Sequence, residues 1–93
     1  MNYLKKSKLK NFVFILINDF SLIAFSNAIE PLRLANRLAQ KQLYSWKITS
    51  ETGEKVKCSS GFYLDVDSSI HEIQNDDYLI ICSGENIKKN ITK

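Results

Sequence analysis

Phe12-Val13-Phe14-Ile15-Leu16-Ile17 is an unbroken apolar run of β-branched and aromatic residues between polar flanks. Such a run fits a strand covered on both faces, as in a parallel sheet. Asn18-Asp19-Phe20-Ser21 then turns the chain and places Asp19 or Ser21 where a helix needs its N-cap. From Leu22 to Gln40 the period changes. Leu22, Phe25, Ile29, Leu32 and Ala39 recur at helical steps, while Arg33, Arg37 and Gln40 take other faces. Pro31 falls inside this helix, where it removes one backbone bond and predicts a kink.

Tyr44–Ser50 reads as a second strand, Thr52-Gly53 as a turn, and Lys55–Cys58 as a short, half-exposed return strand. After Ser59-Ser60-Gly61, the residues Phe62, Leu64 and Val66 alternate with Tyr63, Asp65 and Asp67, which predicts a further strand. Ser69 and Glu72 stand at capping-box spacing and open a short helix to about Gln74. Tyr78-Leu79-Ile80-Ile81-Cys82 is a second buried run, ending at Ser83-Gly84-Glu85-Asn86. The order β-α-β-β-β-α-β predicts an open α/β sheet with its functional edge at the carboxyl ends of the strands.

Length and charge narrow this picture. At 93 residues the chain holds at most one small domain. Its 44% hydrophobic and 25% charged residues are ordinary for a globular fold and argue against disorder. The net charge of +3 is carried by the ends: Lys5, Lys6, Lys8, Lys10, Lys88, Lys89 and Lys93 outweigh an interior of about −4. The expected division is therefore a basic tail over 1–10, an α/β domain over 11–87 and a polar tail over 88–93. Tail lysines solubilise; they do not form a nucleic-acid patch on the fold. Cys58 and Cys82 are too few for a disulfide framework, and the single His71 has no second ligand at metal spacing, so no metal or cofactor is expected. Asn18-Asp19 interrupts the first apolar run too early for a signal peptide, and no segment reaches membrane-spanning length. The expected location is the cytoplasm, without membrane contact.

The segment from Phe20 to Leu38, FSLIAFSNAIEPLRLANRL, carries more specific information. It closely resembles the first helix of the GlxA-type group of AraC-family transcriptional regulators. Tyr44-x-Trp46, Ser50-Glu51-x-Gly53, Ser59-Ser60-Gly61 and the Leu79–Gly84 strand and turn follow in that group's order. The resemblance runs from Asn11 to about Asn86. It implies a partial flavodoxin-like sheet, the front of a PfpI-type (class I glutamine amidotransferase-like) domain that senses a small molecule and usually dimerises. Full-length members continue into a helix-turn-helix region, and subgroups with this helix resemble regulators of amine and amino-acid catabolism. The superfamily's nucleophile elbow would fall beyond Lys93, and a truncated chain is the expectation. Relatives usually carry Pro-Gly where Asn18-Asp19 stand here.

The chemistry expected of such a chain is recognition without catalysis. Cys82 ends a buried strand before Ser83-Gly84, but it precedes the elbow position and has no histidine near it in sequence. Catalytic relatives place a glutamate early in the first helix, and an ungapped reading puts Ala24 there. Catalytic residues are thus expected to be none. The candidate ligand-binding set is Asn18, Asp19, Phe20, Ser83, Gly84 and Glu85, at the two strand-to-turn corners. Glu30 and Arg33 are assigned to a dimer surface or pocket edge. Phe20, Phe25, Trp46 and Phe62 read as core by their periods, against an aromatic cage. The leading expectation is a non-catalytic effector-sensing half-domain of an AraC-type regulator. It would work as a homo-oligomer or with a missing C-terminal half, and would not bind DNA specifically by itself. Its rivals are a fragment of a PfpI-like amidase or hydrolase and a stand-alone module that dimerises through the first helix.

Overall fold

The computed structural model describes residues 9–84; Glu85 and the lysine tails, apart from Lys10, lie outside the described residues. The first apolar run forms β1 (Lys10–Leu16), which becomes the interior of a four-stranded parallel sheet. On one side it pairs with β2 (Tyr44–Ser50) and on the other with β6 (Tyr78–Cys82). A two-residue strand, β5 (Ser68–Ser69), adds to the outer side of β2 and completes the order β5-β2-β1-β6. Val56–Lys57 (β3) and Tyr63–Leu64 (β4) form a separate antiparallel hairpin. Gly61 takes φ +100° in its turn, a conformation that side chains resist.

Helix α1 (Leu22–Ala39) connects β1 to β2 and contains Pro31. Ser21 caps it: the hydroxyl accepts from the Ala24 N–H at 3.2 Å, so the cap falls to Ser21 and not to Asp19. At the other end Gln40 closes the helix at φ 58°, its N–H directed to the Arg37 and Asn36 carbonyls. Phe25 is the buried anchor of the apolar stripe. Its ring meets Phe14 edge-on at 5.5 Å and Phe20 at 6.0 Å. Ala28, Ile29 and Leu32 pack against the same core, whereas Ala39, expected on the stripe, is exposed. The core is Phe14, Leu16, Phe20, Phe25, Val56, Cys58 and Cys82, on the α1 side of the sheet. Thr49 is buried on β2, where its hydroxyl donates to the Phe14 carbonyl at 3.1 Å.

The fold is α/β with a parallel sheet, as the apolar runs predict, but the expected order β-α-β-β-β-α-β needs correction. Phe62–Asp67 does not form one strand. Tyr63–Leu64 pairs in the hairpin, and the chain then reaches the main sheet as β5. Asp67 makes that approach: its N–H donates to the Ile48 carbonyl at 2.6 Å and its carboxylate accepts from the Ile48 N–H at 2.9 Å. The helix expected from Ser69 to Gln74 is a single 3₁₀ turn, Ile70–Glu72, capped by Ser69. Asp77 accepts from the Gln74 N–H at 2.8 Å, which holds the chain in a turn and not in a further helical residue. Phe62 is exposed and does not belong to the core.

Full coverage of both apolar runs also fails, and only at one strand. Val13 is buried, but its register partner Leu79 is 52% exposed, and Ile81, paired with Ile15, is 63% exposed. These side chains lie on the sheet face away from α1.

Candidate functional site

In a parallel sheet the chain leaves β1 toward one neighbour and returns on the other side, opening a crevice where the two carboxyl ends part. Here that point lies between β1 and β6. The Ile17 N–H donates to the Cys82 carbonyl at 3.0 Å, and beyond it the Ser21 N–H donates to the Ser83 carbonyl at 3.2 Å. Gly84 passes so close to the β1–α1 turn that a Cβ added there would stand 2.0 Å from the Asp19 carbonyl oxygen. Asn18, Asp19, Phe20, Ser83 and Gly84, expected together from the sequence, are therefore brought to one corner. Glu85 lies outside the described residues.

The β3–β4 hairpin braces this corner. The Asp19 N–H donates to the Lys57 carbonyl at 2.7 Å, Asn18 Oδ1 accepts from the Lys57 N–H at 3.2 Å, and the Ser59 N–H donates to the Phe20 carbonyl at 2.8 Å. Lys57 Nζ stands 3.8 Å from Asp19 Oδ1. Asp19 adopts φ +70°, so the turn holds a left-handed residue that is not glycine. Phe20 is completely buried; its side chain packs the core and presents nothing to a ligand. The corner is thus a scaffold, with Asn18 and the backbone of the two turns at its surface.

Next to Asn18 lies a cleft of about 590 Å³, which the sequence did not indicate. Its inner wall is Ile15, Leu16, Ile17, Val56 and Ile70; its mouth is formed by the β2–β3 turn through Glu51, Thr52, Glu54 and Lys55. Ser50 holds that turn in shape, accepting from the Gly53 N–H at 3.0 Å and donating to the Glu54 carbonyl at 2.7 Å. Thr52 Oγ1 accepts from the Glu54 N–H at 3.3 Å. The Lys55 ammonium sits 5.0 Å above the Tyr63 ring, so it has an aromatic partner at the edge of the cleft. An apolar floor with a polar rim suits a small amphipathic molecule. The signal that leads to these residues is adjacency: β2 lies beside β1 in parallel register, so its carboxyl end shares the same edge.

Glu30 and Arg33 stand apart, roughly two and a half turns along α1 from the cap. They bond to each other, Arg33 Nε donating to Glu30 Oε1 at 2.8 Å, on the exposed side of the helix. The Arg33 guanidinium keeps the Glu30 carboxyl below its usual range, and Glu30 raises Arg33 in return. Cys82 is 6% exposed, and burial pushes its thiol above the ordinary value. A protonated, buried thiol is a poor nucleophile. Among the described residues no group of His, Cys, Asp or Glu gathers to hold a metal ion, and no helix is long and apolar enough to cross a membrane.

No protein-family profile matches the chain. The HTH-type transcriptional regulator GbdR of Pseudomonas aeruginosa is 35% identical over 80 residues, which is 86% of this chain and 22% of GbdR. CdhR of the same species is 35% identical over 75 residues, covering 81% of this chain and 22% of CdhR. GlxA of Rhizobium meliloti is 32% identical over 71 residues, 76% of this chain and 22% of GlxA. The chain thus spans about a fifth of the length of these relatives. In three dimensions it matches an AraC family transcriptional regulator from Pseudomonas putida with TM-score 0.74 and 26% identity, over 90% of this chain and 44% of that one. A DJ-1 superfamily protein from Agrobacterium tumefaciens matches with TM-score 0.64 and 18% identity, over 91% and 43% of the two chains, and shows the fold alone. Sequence and architecture therefore agree: this chain is a homologue of a segment of AraC-family transcriptional regulators, built on part of the DJ-1-type α/β fold.

Proposed function

We propose that this chain is an effector-sensing, non-catalytic part of an AraC-type regulator, acting in the cytoplasm on a small molecule of amine or amino-acid catabolism. The observation that carries the reading is the cleft beside Asn18, at the carboxyl edge of the sheet, in a chain whose relatives are transcriptional regulators. Residues 11–87 form the working domain, with the tails at 1–10 and 88–93 outside it. The effector rests between the Asn18-Asp19 turn, the Ser83-Gly84 turn and the acidic mouth at Glu51 and Glu54. The chain works as a homo-oligomer, and this segment is the effector-sensing part and not the operator-binding one. Glu30 and Arg33 belong to an exposed helix face available to such a partner.

The fold likeness to a DJ-1 superfamily protein keeps a hydrolase fragment as the second reading. The buried, protonated Cys82 argues against it. Thermal melts of the purified chain against choline, carnitine, arginine and related amines test the proposal. A concentration-dependent rise in Tm for one ligand class, abolished by Thr52→Trp in the cleft mouth, is expected. Turnover of amide or ester substrates that vanishes in Cys82→Ala, or no shift with any ligand, overturns it.

A further inference from the structure

We infer that the cleft takes an organic monocation: an ammonium group on an apolar chain, with no carboxylate of its own. The inference rests on the effector reading above and names the charge class of that ligand. The floor and mouth come from the end of β1, the β2–β3 turn and Ile70, all among the described residues, and not from β6. Ile15, Ile17, Val56 and Ile70 give an inner wall without charge, while the charged groups of the lining stand at the mouth. A ligand carboxylate pressed against that wall would lose its water and gain nothing from four hydrocarbon side chains. The apolar part of the ligand therefore goes in first, and its charge stays at the mouth.

The sign of that charge follows from what the groups at the mouth are already bonded to. Glu51 and Glu54 bring two carboxylates. Lys55, the one ammonium of the lining, is held 5.0 Å over the ring of Tyr63, which lies outside the cleft. Backbone donors of the turn are engaged in the same way. The Gly53 N–H donates to Ser50 Oγ and the Glu54 N–H to Thr52 Oγ1, and at the neighbouring corner the Lys57 N–H donates to Asn18 Oδ1. An anion needs such donors, whereas an ammonium needs acceptors, and the two carboxylates supply them. A zwitterion fits worse than a plain ammonium, because its carboxylate meets either the hydrocarbon wall or Glu51 and Glu54.

Calorimetric titration of the 93-residue chain with hexylammonium, 6-aminohexanoate, hexanoate and 1-hexanol tests this at low salt, with far-UV circular dichroism as the folding control. These probes share one chain length and differ in charge. Hexylammonium is expected to bind roughly five- to tenfold more tightly than each of the others. Glu51, Thr52 and Glu54 are exposed, so substitutions there leave the core intact. Glu51→Gln with Glu54→Gln should cut the preference to about twofold or less and leave hexanol binding unchanged. Thr52→Trp, which narrows the mouth, should remove hexylammonium binding and so locate it in the cleft. Tighter binding of 6-aminohexanoate or hexanoate, removed by Thr52→Trp, overturns the monocation and keeps the effector reading. A hexylammonium preference that survives the paired Gln substitutions, or binding that survives Thr52→Trp, overturns the monocation as well. Silence from every probe overturns the monocation alone if the melts with other ligands shift, and both readings if they do not.

Discussion

Asp19 and Gly84 meet where two turns cross, and each is held by backbone, which makes this contact the least tolerant place in the candidate site. Gly84→Ala would drive a Cβ into the Asp19 carbonyl, an atom of the main chain that cannot rotate away. Relief requires the β6 turn and the β1–α1 turn to separate, at a cost of about 1–3 kcal/mol. Asp19 is sensitive in a different way. Its φ of +70° is strained for any side chain, so Asp19→Ala should lose roughly 1–2 kcal/mol relative to Asp19→Gly, which needs no strain at that position. Urea unfolding of the three variants checks both expectations. Equal midpoints for Asp19→Ala and Asp19→Gly would show that the left-handed turn carries no cost. Asn18-Asp19 was legible as a turn, but that Asp19 takes the left-handed conformation is visible only in its backbone angle.

Among the elements, α1 and β2 are tied by one side chain. Asn36 Oδ1 accepts from the Leu43 N–H at 2.7 Å and from the Tyr44 N–H at 3.0 Å, while its Nδ2 donates to the Tyr44 carbonyl at 3.0 Å. It therefore fixes the loop that returns the chain to the sheet. Asn36→Ala leaves part-buried amides without this acceptor, and a loss of about 1–3 kcal/mol is expected in thermal or urea unfolding. Asn36→Asp, which keeps the acceptor but turns its second oxygen toward the Tyr44 carbonyl, should recover only part of it. The long elements were readable because each repeats its signal. Phe12–Ile17 and Tyr78–Cys82 are continuous apolar runs, and α1 repeats Phe25, Ile29 and Leu32 at helical steps. The short ones were not. Ser68–Ser69 is two polar residues, too few for any period, and enters the sheet through the bonds between Asp67 and Ile48. Ser69 and Glu72 have the spacing of a capping box, yet after Ile73 the chain runs into Gln74-Asn75-Asp76-Asp77, and no apolar stripe continues to extend a helix. The cleft was hidden for the related reason that Ser50–Lys55 reads only as a turn until β2 is placed beside β1.

At the scale of the whole molecule, buried titratable groups link stability to pH. Burial raises the Cys82 thiol, so its protonated form is favoured by folding. The resulting stabilisation is present in full below the unfolded thiol value of about 8.5 and is lost as pH rises through the folded value. Melts across pH 7–10 should therefore show a decline in Tm on the alkaline side that is shallower in Cys82→Ala. Parallel curves for the two proteins would remove the thiol as the cause. The position of β1 in the sheet order has a consequence of another kind, for the time course of folding. Its partner on one side, β2, follows after a single helix, while its partner on the other, β6, comes from the far end of the described chain. Closing the longer loop costs more chain entropy and gives its return last. During synthesis, β1 emerges first and can pair with β2 as soon as α1 and β2 have been made. One flank of the central strand must then wait, open, until Tyr78–Cys82 leaves the ribosome.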